Sequence, residues 1–139
     1  MVEKAIRTVL INNSVVNGIV STRVYSEMAP QSAALPYITT QCISTIPVSS
    51  LGGFSGLMKA RWQIDCYAST KDGAVVLANA VRLAFVDYVG VTSGVDVRSV
   101  YLLNQFDASV EPIDGGQIMI RRKALDFSVS YYEEQPVVS

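Results

Sequence analysis

Carboxylates are the side chains that could supply acid–base chemistry in this sequence, because the chain contains no histidine. Histidine is the commonest general base and metal ligand, and its absence removes the usual nucleophile-activating triads. Two suitably spaced acids could still act as a catalytic pair. The candidates are Asp65, Asp107, Glu111, Asp114, Asp126, Glu133 and Glu134. Solvated strand faces and turns account for each of them, so the sequence favours a protein that is not an enzyme and needs no cofactor or metal.

Glycines and cysteines also fail to form a chemical motif. The segment 52–56, Gly-Gly-Phe-Ser-Gly, lacks the Gly-Lys-Ser/Thr ending and the strand-to-helix setting of a phosphate-binding loop, so it is more typical of a hairpin tip. Cys42 and Cys66 are too far apart for the close-spaced pairs that bind zinc or exchange electrons. We expect both to be reduced core residues.

The charge distribution argues against nucleic acid and membranes as main partners. The formal net charge is −1, and the one basic cluster is the triplet Arg121, Arg122 and Lys123. Three charges neutralise too few phosphates for tight binding, so the triplet is either a solvated bulge or a contact for a partner protein. No stretch approaches the roughly 20 apolar residues of a membrane-spanning helix, and the start at 1–4 does not resemble a signal peptide, so we expect synthesis in the cytoplasm.

Apolar periodicity predicts two helices. Val2, Ala5, Ile6, Val9 and Leu10 recur at helical spacing, and this helix should end between the turn signals at 12–14 and 17–18, which are rich in Asn and Gly. Thr70 or Asp72 can cap a second helix that Gly90 ends. Its apolar stripe consists of Ala74, Leu77, Ala78, Val81, Ala84, Phe85 and Tyr88.

Strand signals occupy most of the remaining chain. They comprise a short extended piece at 24–25 and longer segments at 37–44, 61–68, 96–108 and 117–132. Segment 61–68 alternates most clearly, with Trp62, Ile64, Cys66 and Ala68 on one face. A bulge at 121–123 would keep the apolar residues on both sides of it pointing inward. We predict an α+β fold of order α-β-β-β-α-β-β, in which two helices cover one face of a mostly antiparallel sheet of four to five strands.

The length of 139 residues fits one domain, which we place at 1–134, followed by a loose tail at 135–139. Within it, the Gly- and Ser-rich segment 47–59 is expected to be a flexible loop at the tip of a hairpin. No charged residue occurs between Glu27 and Lys59, a run of 31 positions (59 − 27 − 1) in a chain that is 17% charged. This depletion favours packing against another protein chain, although a neutral loop would also produce it.

The order of these segments resembles the tail-terminator, or tail-completion, proteins of long-tailed bacteriophages. The likeness spans nearly the whole chain. After the amphipathic N-terminal helix, its matching segments are Arg23–Tyr25, Leu35–Thr39, Arg61–Ser69, the helix from about Asp72 to Tyr88, and the closing strand Arg122–Glu133.

The resemblance implies a ring, typically a homohexamer, located in the virion at the head-proximal end of the tail and assembled in the host cytoplasm. It would stop polymerisation of the tail tube by its shape, and its partners would be the major tail tube protein and a head–tail connector or neck protein. We expect the subunit or tube contacts at Leu51, Phe54, Leu57, Met58 and Lys59, and a second contact at Arg121, Arg122 and Lys123. Alternatives are another neck or head-completion subunit and, less favoured, a small ligand-binding module or acidic-site enzyme.

Overall fold

The computed structural model describes residues 2–50, 53–86, 88–108 and 120–133, and it describes the side chains of these residues except at 49–50, 53–55 and 133. Three helices and six strands lie within those ranges. In chain order they are α1 (Val2–Asn12), α2 (Ser14–Val20), β1 (Val24–Ser26), β2 (Tyr37–Ser50), β3 (Gly53–Ala68), α3 (Lys71–Phe85), β4 (Gly90–Thr92), β5 (Val95–Asp107) and β6 (Arg121–Glu133).

The described strands form one mixed sheet in the order β1-β2-β3-β6-β5-β4. Strand β1 runs parallel to β2, and every other neighbouring pair is antiparallel. The α+β class and the mostly antiparallel pairing agree with the sequence prediction. The predicted count of two helices and four to five strands was too low, because α2 and β4 were not predicted.

Helix α2 occupies a segment whose Asn and Gly residues suggested a turn. Asn13 does end α1, but its side-chain oxygen also accepts hydrogen bonds of 3.1 Å from the backbone N–H groups of Val15 and Val16. An N-cap of this kind satisfies backbone donors that the first helical turn leaves open. Val16 and Val20 then bury their side chains completely, so tertiary packing outweighs the low helix propensity of Gly18.

Helix α3 begins at the predicted cap and ends earlier than predicted. The Thr70 side chain accepts a 3.0 Å hydrogen bond from the Gly73 N–H. The helix stops at Phe85 with Val86 in an extended conformation, and Gly90 starts β4 instead of ending the helix. None of the helices in the described part of the chain is long and apolar enough to cross a bilayer.

The core lies between the helices and one face of the sheet. Phe85 of α3 packs on Phe127 of β6 with ring centroids 5.1 Å apart, which identifies the face that the helices cover. The alternating set of β3 predicted to point inward is buried on that face, including Trp62 and Ile64. Cys66 is buried there too, whereas the prediction of a core position for Cys42 is wrong, because β2 at that residue is exposed.

Strand pairing replaces the predicted loop over most of 47–59. The β2–β3 ladder continues past Pro47, which pairs with Met58, to Ser50 opposite Gly53. Pro47 lacks an N–H donor and is tolerated because β2 has no described strand on its outer side at this position. Gly56, at φ +86, supplies a backbone conformation that few other residues adopt.

The bulge predicted at Arg121–Lys123 is not found between β3 and β6. The two strands pair without a register shift from Leu57 opposite Tyr132 to Ala68 opposite Arg121. Extra residues lie instead between Cys42 and Ser44 of β2, and between Val97 and Ser99 and between Leu102 and Asn104 of β5. A further shift near the hairpin tip places the extra residues on β3, because Pro47 and Ser49 are opposite Met58 and Phe54. Ile118, whose inward position motivated the prediction, lies outside the described residues.

Candidate assembly surfaces

The predicted contact residues near the hairpin tip are only partly exposed. Met58 packs against the core and Leu57 is half-buried beside Tyr132, its partner on β6. Lys59 is exposed opposite Ser130. Leu51 lies outside the described residues, and the backbone of Phe54 pairs with Ser49. Lys59 is therefore the one of these five whose side chain the structure describes as exposed.

The basic triplet lies at the other end of the same pair of strands. Arg122 is opposite Tyr67, ten residues along β3 from Leu57, which corresponds to about 33 Å of extended strand. The two sets predicted from sequence are thus not brought together. They occupy opposite ends of the domain, as two separate contacts would require.

Arg122 is not simply solvated, because its side chain makes contacts within the sheet. Its Nη2 donates a 2.9 Å hydrogen bond to Oδ2 of Asp65, and its side chain is 27% exposed. Its guanidinium carbon lies 5.7 Å from the centre of the Tyr67 ring, within the range of a cation–π contact. Replacing this residue would therefore disturb the fold as well as any contact with a partner.

Asp65 and Asp126 lie on the face of the sheet opposite the helices, and both are buried. Asp65 accepts hydrogen bonds from Arg122 and from Nε2 of Gln63, the latter at 3.0 and 3.2 Å. Asp126 accepts a 2.7 Å bond from Arg61. Each of these buried carboxylates is paired with an arginine, as buried charges usually are. Their presence is therefore explained by the structure of the sheet, without a role as a general base.

Three tyrosines extend this polar face toward β1. The Tyr25 and Tyr37 rings meet edge to face at 5.9 Å, and the Tyr37 and Tyr67 rings stack at 4.6 Å. Partial burial, and then the neighbouring Tyr67 and Tyr25, raise the pKa of the Tyr37 hydroxyl. The row joins the short parallel strand to the central strands.

Sequence reasoning missed the exposed apolar residues on the outer strands. Ile43 and Ile46 of β2 are exposed, as are Tyr101, Leu103 and Phe106 of β5. Between these strands Ile46 and Leu103 line one shallow cavity of about 260 Å³, together with Ser44, Lys59, Ala60, Arg61 and Ser128. The uncharged run between Glu27 and Lys59 was the one signal for the β2 part of this surface.

Comparison with solved structures shows that the fold occurs in a virus-like particle. A chain from the virion of a native gene transfer agent particle superimposes with a TM-score of 0.73 and 20% sequence identity, over 92% of each chain. At this identity the likeness establishes the fold. A search of the curated proteins found no match.

Comparison with protein families gives a more specific result. The sequence profile described as "Tail completion protein gp17" matches residues 4–109, from α1 to the end of β5, which is well over half of the 139 residues. The paired polar face, the two separated ends and the exposed outer strands suit a protein built for assembly. The chain belongs to the tail completion protein gp17 family, and it is a structural protein of a phage tail.

Proposed function

We propose that this chain forms a homohexameric ring that caps the head-proximal end of the phage tail tube. The ring ends polymerisation of the tube and provides the surface to which the head joins. Membership of the tail completion family is the observation that carries this proposal. The partners are other copies of the chain, the major tail tube protein and a head–tail connector or neck protein, and the ring assembles in the host cytoplasm.

The geometry supports a cap with two different partners, because the domain presents different surfaces at its two ends. Lys59 lies eight residues along β3 from Tyr67, the partner of Arg122, so the hairpin end and the end with Arg121–Lys123 are about 26 Å apart along the strands. One end can therefore face the tube while the other faces the head, without competition between the two partners.

Termination follows from shape alone in this proposal. One face of the ring substitutes for the next layer of the tube, and the opposite face lacks the surface that recruits another tube subunit. No chemical step is needed, which agrees with the role of Asp65 and Asp126 as paired structural acids.

The test is the mass of the purified protein by light scattering over a range of concentrations, followed by negative-stain imaging with and without tail tubes. We expect a hexameric ring, either free in solution or formed on tube ends. A chain that stays monomeric and ignores tubes at every concentration contradicts the proposal. A ring that binds isolated heads but not tubes assigns the chain to the neck instead.

A matched pair of variants locates the tube contact. Lys59→Glu reverses an exposed charge at the hairpin end, and Lys71→Glu makes the same change at the start of α3. We expect Lys59→Glu to lower the fraction of capped tubes several-fold and Lys71→Glu to leave it unchanged. Equal capping by both variants would show that Lys59 is not part of the tube contact.

A further inference from the structure

The sheet has two long outer edges that no described strand covers. Strand β1 pairs only with Ile38–Thr40 of β2, and β4 pairs only with Val95–Val97 of β5. The outer sides of 41–47 and 99–106 therefore have no partner strand among the residues that the structure describes. An open edge presents backbone N–H and C=O groups that can pair with another chain.

Both edges lack the charged side chains that often prevent such pairing. Neither 41–47 nor 99–106 contains a charged residue. Soluble proteins commonly protect an edge strand with lysine or another charge. Here the two edges instead expose apolar side chains, with Ile46 at 61% on β2 and Tyr101 and Leu103 at 60% and 55% on β5.

Bulges occur on both edges. Strand β2 has one extra residue at 43, and β5 has one at 98 and one at 103. A bulge bends its strand and increases the local twist. Both edges are therefore bent within the stretches that lack a partner strand.

The strand directions allow the two edges to pair in the favourable sense. The strands β2, β3, β6 and β5 alternate in direction, so β5 of one copy and β2 of a copy placed beside it in the same orientation are antiparallel. The ladder would then continue from one copy to the next with one repeating pattern.

The edges also lie at matching heights in the sheet. Gln41 pairs with Gln63, Gln63 with Asp126, and Asp126 with Asn104. By the same reasoning Ile46 is level with Ser99, through Lys59 and Ser130. At equal height, 41–46 of β2 therefore face 99–104 of β5. At that height β4 would meet residues 47–50 of the next copy, and β1 of that copy would meet residues 105–107. Displacing the next copy a few residues toward the Asp107 end of β5 relieves both overlaps and keeps the two uncovered edges opposite each other.

We infer that the β2 edge of one copy, from Gln41 up to Ile46 before Pro47, pairs antiparallel with the β5 edge (99–106) of the next copy, so that the sheets join around the ring. This inference rests on the proposed ring and names the contact that builds it. Pairing of different edges is heterologous and closes into a ring when the rotation between copies permits. Closure leaves no copy with an open edge, which explains why neither edge needs a protecting charge.

Cys42 provides a direct test, because it is an exposed thiol on the β2 edge while Cys66 is buried. Cys42 is level with Leu102 on the same face of the sheet, since both are in the row of Trp62 and Phe127. The variants Leu102→Cys and Gln105→Cys place a second thiol on the β5 edge. Assembled protein is treated with a short bis-maleimide and separated under denaturing conditions.

We expect at least one of these variants to give a ladder of covalent oligomers up to the size of the ring. The controls are the native chain and the same variants carrying Cys42→Ser, which should give no ladder. Cys42 of the native chain should also react with a soluble thiol reagent at least tenfold more slowly after assembly. Dimers of the native chain linked through two Cys42 residues would instead show that equivalent edges meet, and would overturn the inference.

A second set of variants tests the same contact without cross-linking. Ile46→Lys and Leu103→Lys place a charge on each edge, and Val76→Lys adds the same charge to an exposed position of α3. We expect both edge variants to remain folded by circular dichroism but to lose the ring, while Val76→Lys keeps it. Rings that survive both edge variants, with no ladder from either cysteine variant, overturn the edge pairing and leave the proposed function standing. A native chain that forms no ring on tubes overturns both.

Discussion

Arg61 and Asp126 form an unequal ion pair, in which Nη2 donates a 2.7 Å hydrogen bond to Oδ2 but only the carboxylate is buried. The Arg61 side chain is 50% exposed, whereas that of Asp126 is 3% exposed. Such a pair matters less for the attraction between the charges than for the cost of leaving the buried acid alone.

Removal of the arginine should therefore destabilise the fold more than removal of both charges. We expect Arg61→Ala to lower the free energy of unfolding by about 1–3 kcal/mol, the cost of an unsatisfied buried group. The double variant Arg61→Ala with Asp126→Asn should recover part of that loss. Urea denaturation of the native chain, both single variants and the double variant measures the coupling. Additive losses would mean that the two side chains do not interact in solution.

The contact between Phe85 and Phe127 should dominate the packing of α3 on the sheet. Both rings are almost completely buried, and Phe127→Ala should lower the free energy of unfolding by about 3–5 kcal/mol through lost burial and the cavity left behind. Leu83→Ala removes a large apolar side chain from the exposed face of the same helix and should cost less than about 0.5 kcal/mol. Similar losses in the two variants would contradict the assignment of the covered face.

Stability should fall at alkaline pH because of Cys66. Complete burial, and secondly the Asp65 carboxylate, raise the pKa of the Cys66 thiol above its value in the unfolded chain. Above about pH 8.5 the unfolded chain loses a proton that the folded chain keeps, so unfolding becomes easier as pH rises. The slope for this group approaches about 1.4 kcal/mol per pH unit. Denaturation between pH 7 and 9.5 should show this decline in the native chain and in Cys42→Ala, but a smaller decline in Cys66→Ala.

The Thr70 cap should contribute measurably to α3. The variant Thr70→Ala leaves the Gly73 N–H without its side-chain acceptor, and we expect a loss of about 1 kcal/mol in the free energy of unfolding. Thr70→Ser keeps a hydroxyl at the same place and serves as the control. A Thr70→Ala protein as stable as the Thr70→Ser protein would show that another group satisfies this donor.

The sequence predicted best those elements whose local pattern agrees with their final environment. The alternation around Trp62 and Ile64 matches a strand covered on one face, and the stripe from Ala74 to Phe85 matches a helix on that face. The same reasoning failed at Asn13, because an Asn that ends one helix can also cap the next. It failed again at 47–59, where cross-strand pairing outweighs the preference of Gly and Ser for loops.

The outer edges could not be located from the sequence, because they depend on the order of strands in the sheet. Nothing local in 99–106 indicates that β5 lies on the outer side of β6 in the sheet, or that β4 covers it only near its start. Likewise, the strand that contains Cys42 was predicted correctly, but its exposure was not, because the sequence does not show that β1 covers only Ile38–Thr40 of that strand. The lack of charge in 28–58 did point to β2, since it concerns the surface as a whole and not one element.

The position of β6 has a consequence for how the chain folds. It is the last of the six strands in sequence, yet it lies in the interior of the sheet between β3 and β5. During synthesis neither β3 nor β5 can pair with β6 until residues 121–133 have been made. Contacts over such long sequence separations form slowly. A nascent or truncated chain that ends before β6 cannot form this sheet, so the fold is complete only when residues 121–133 have been made.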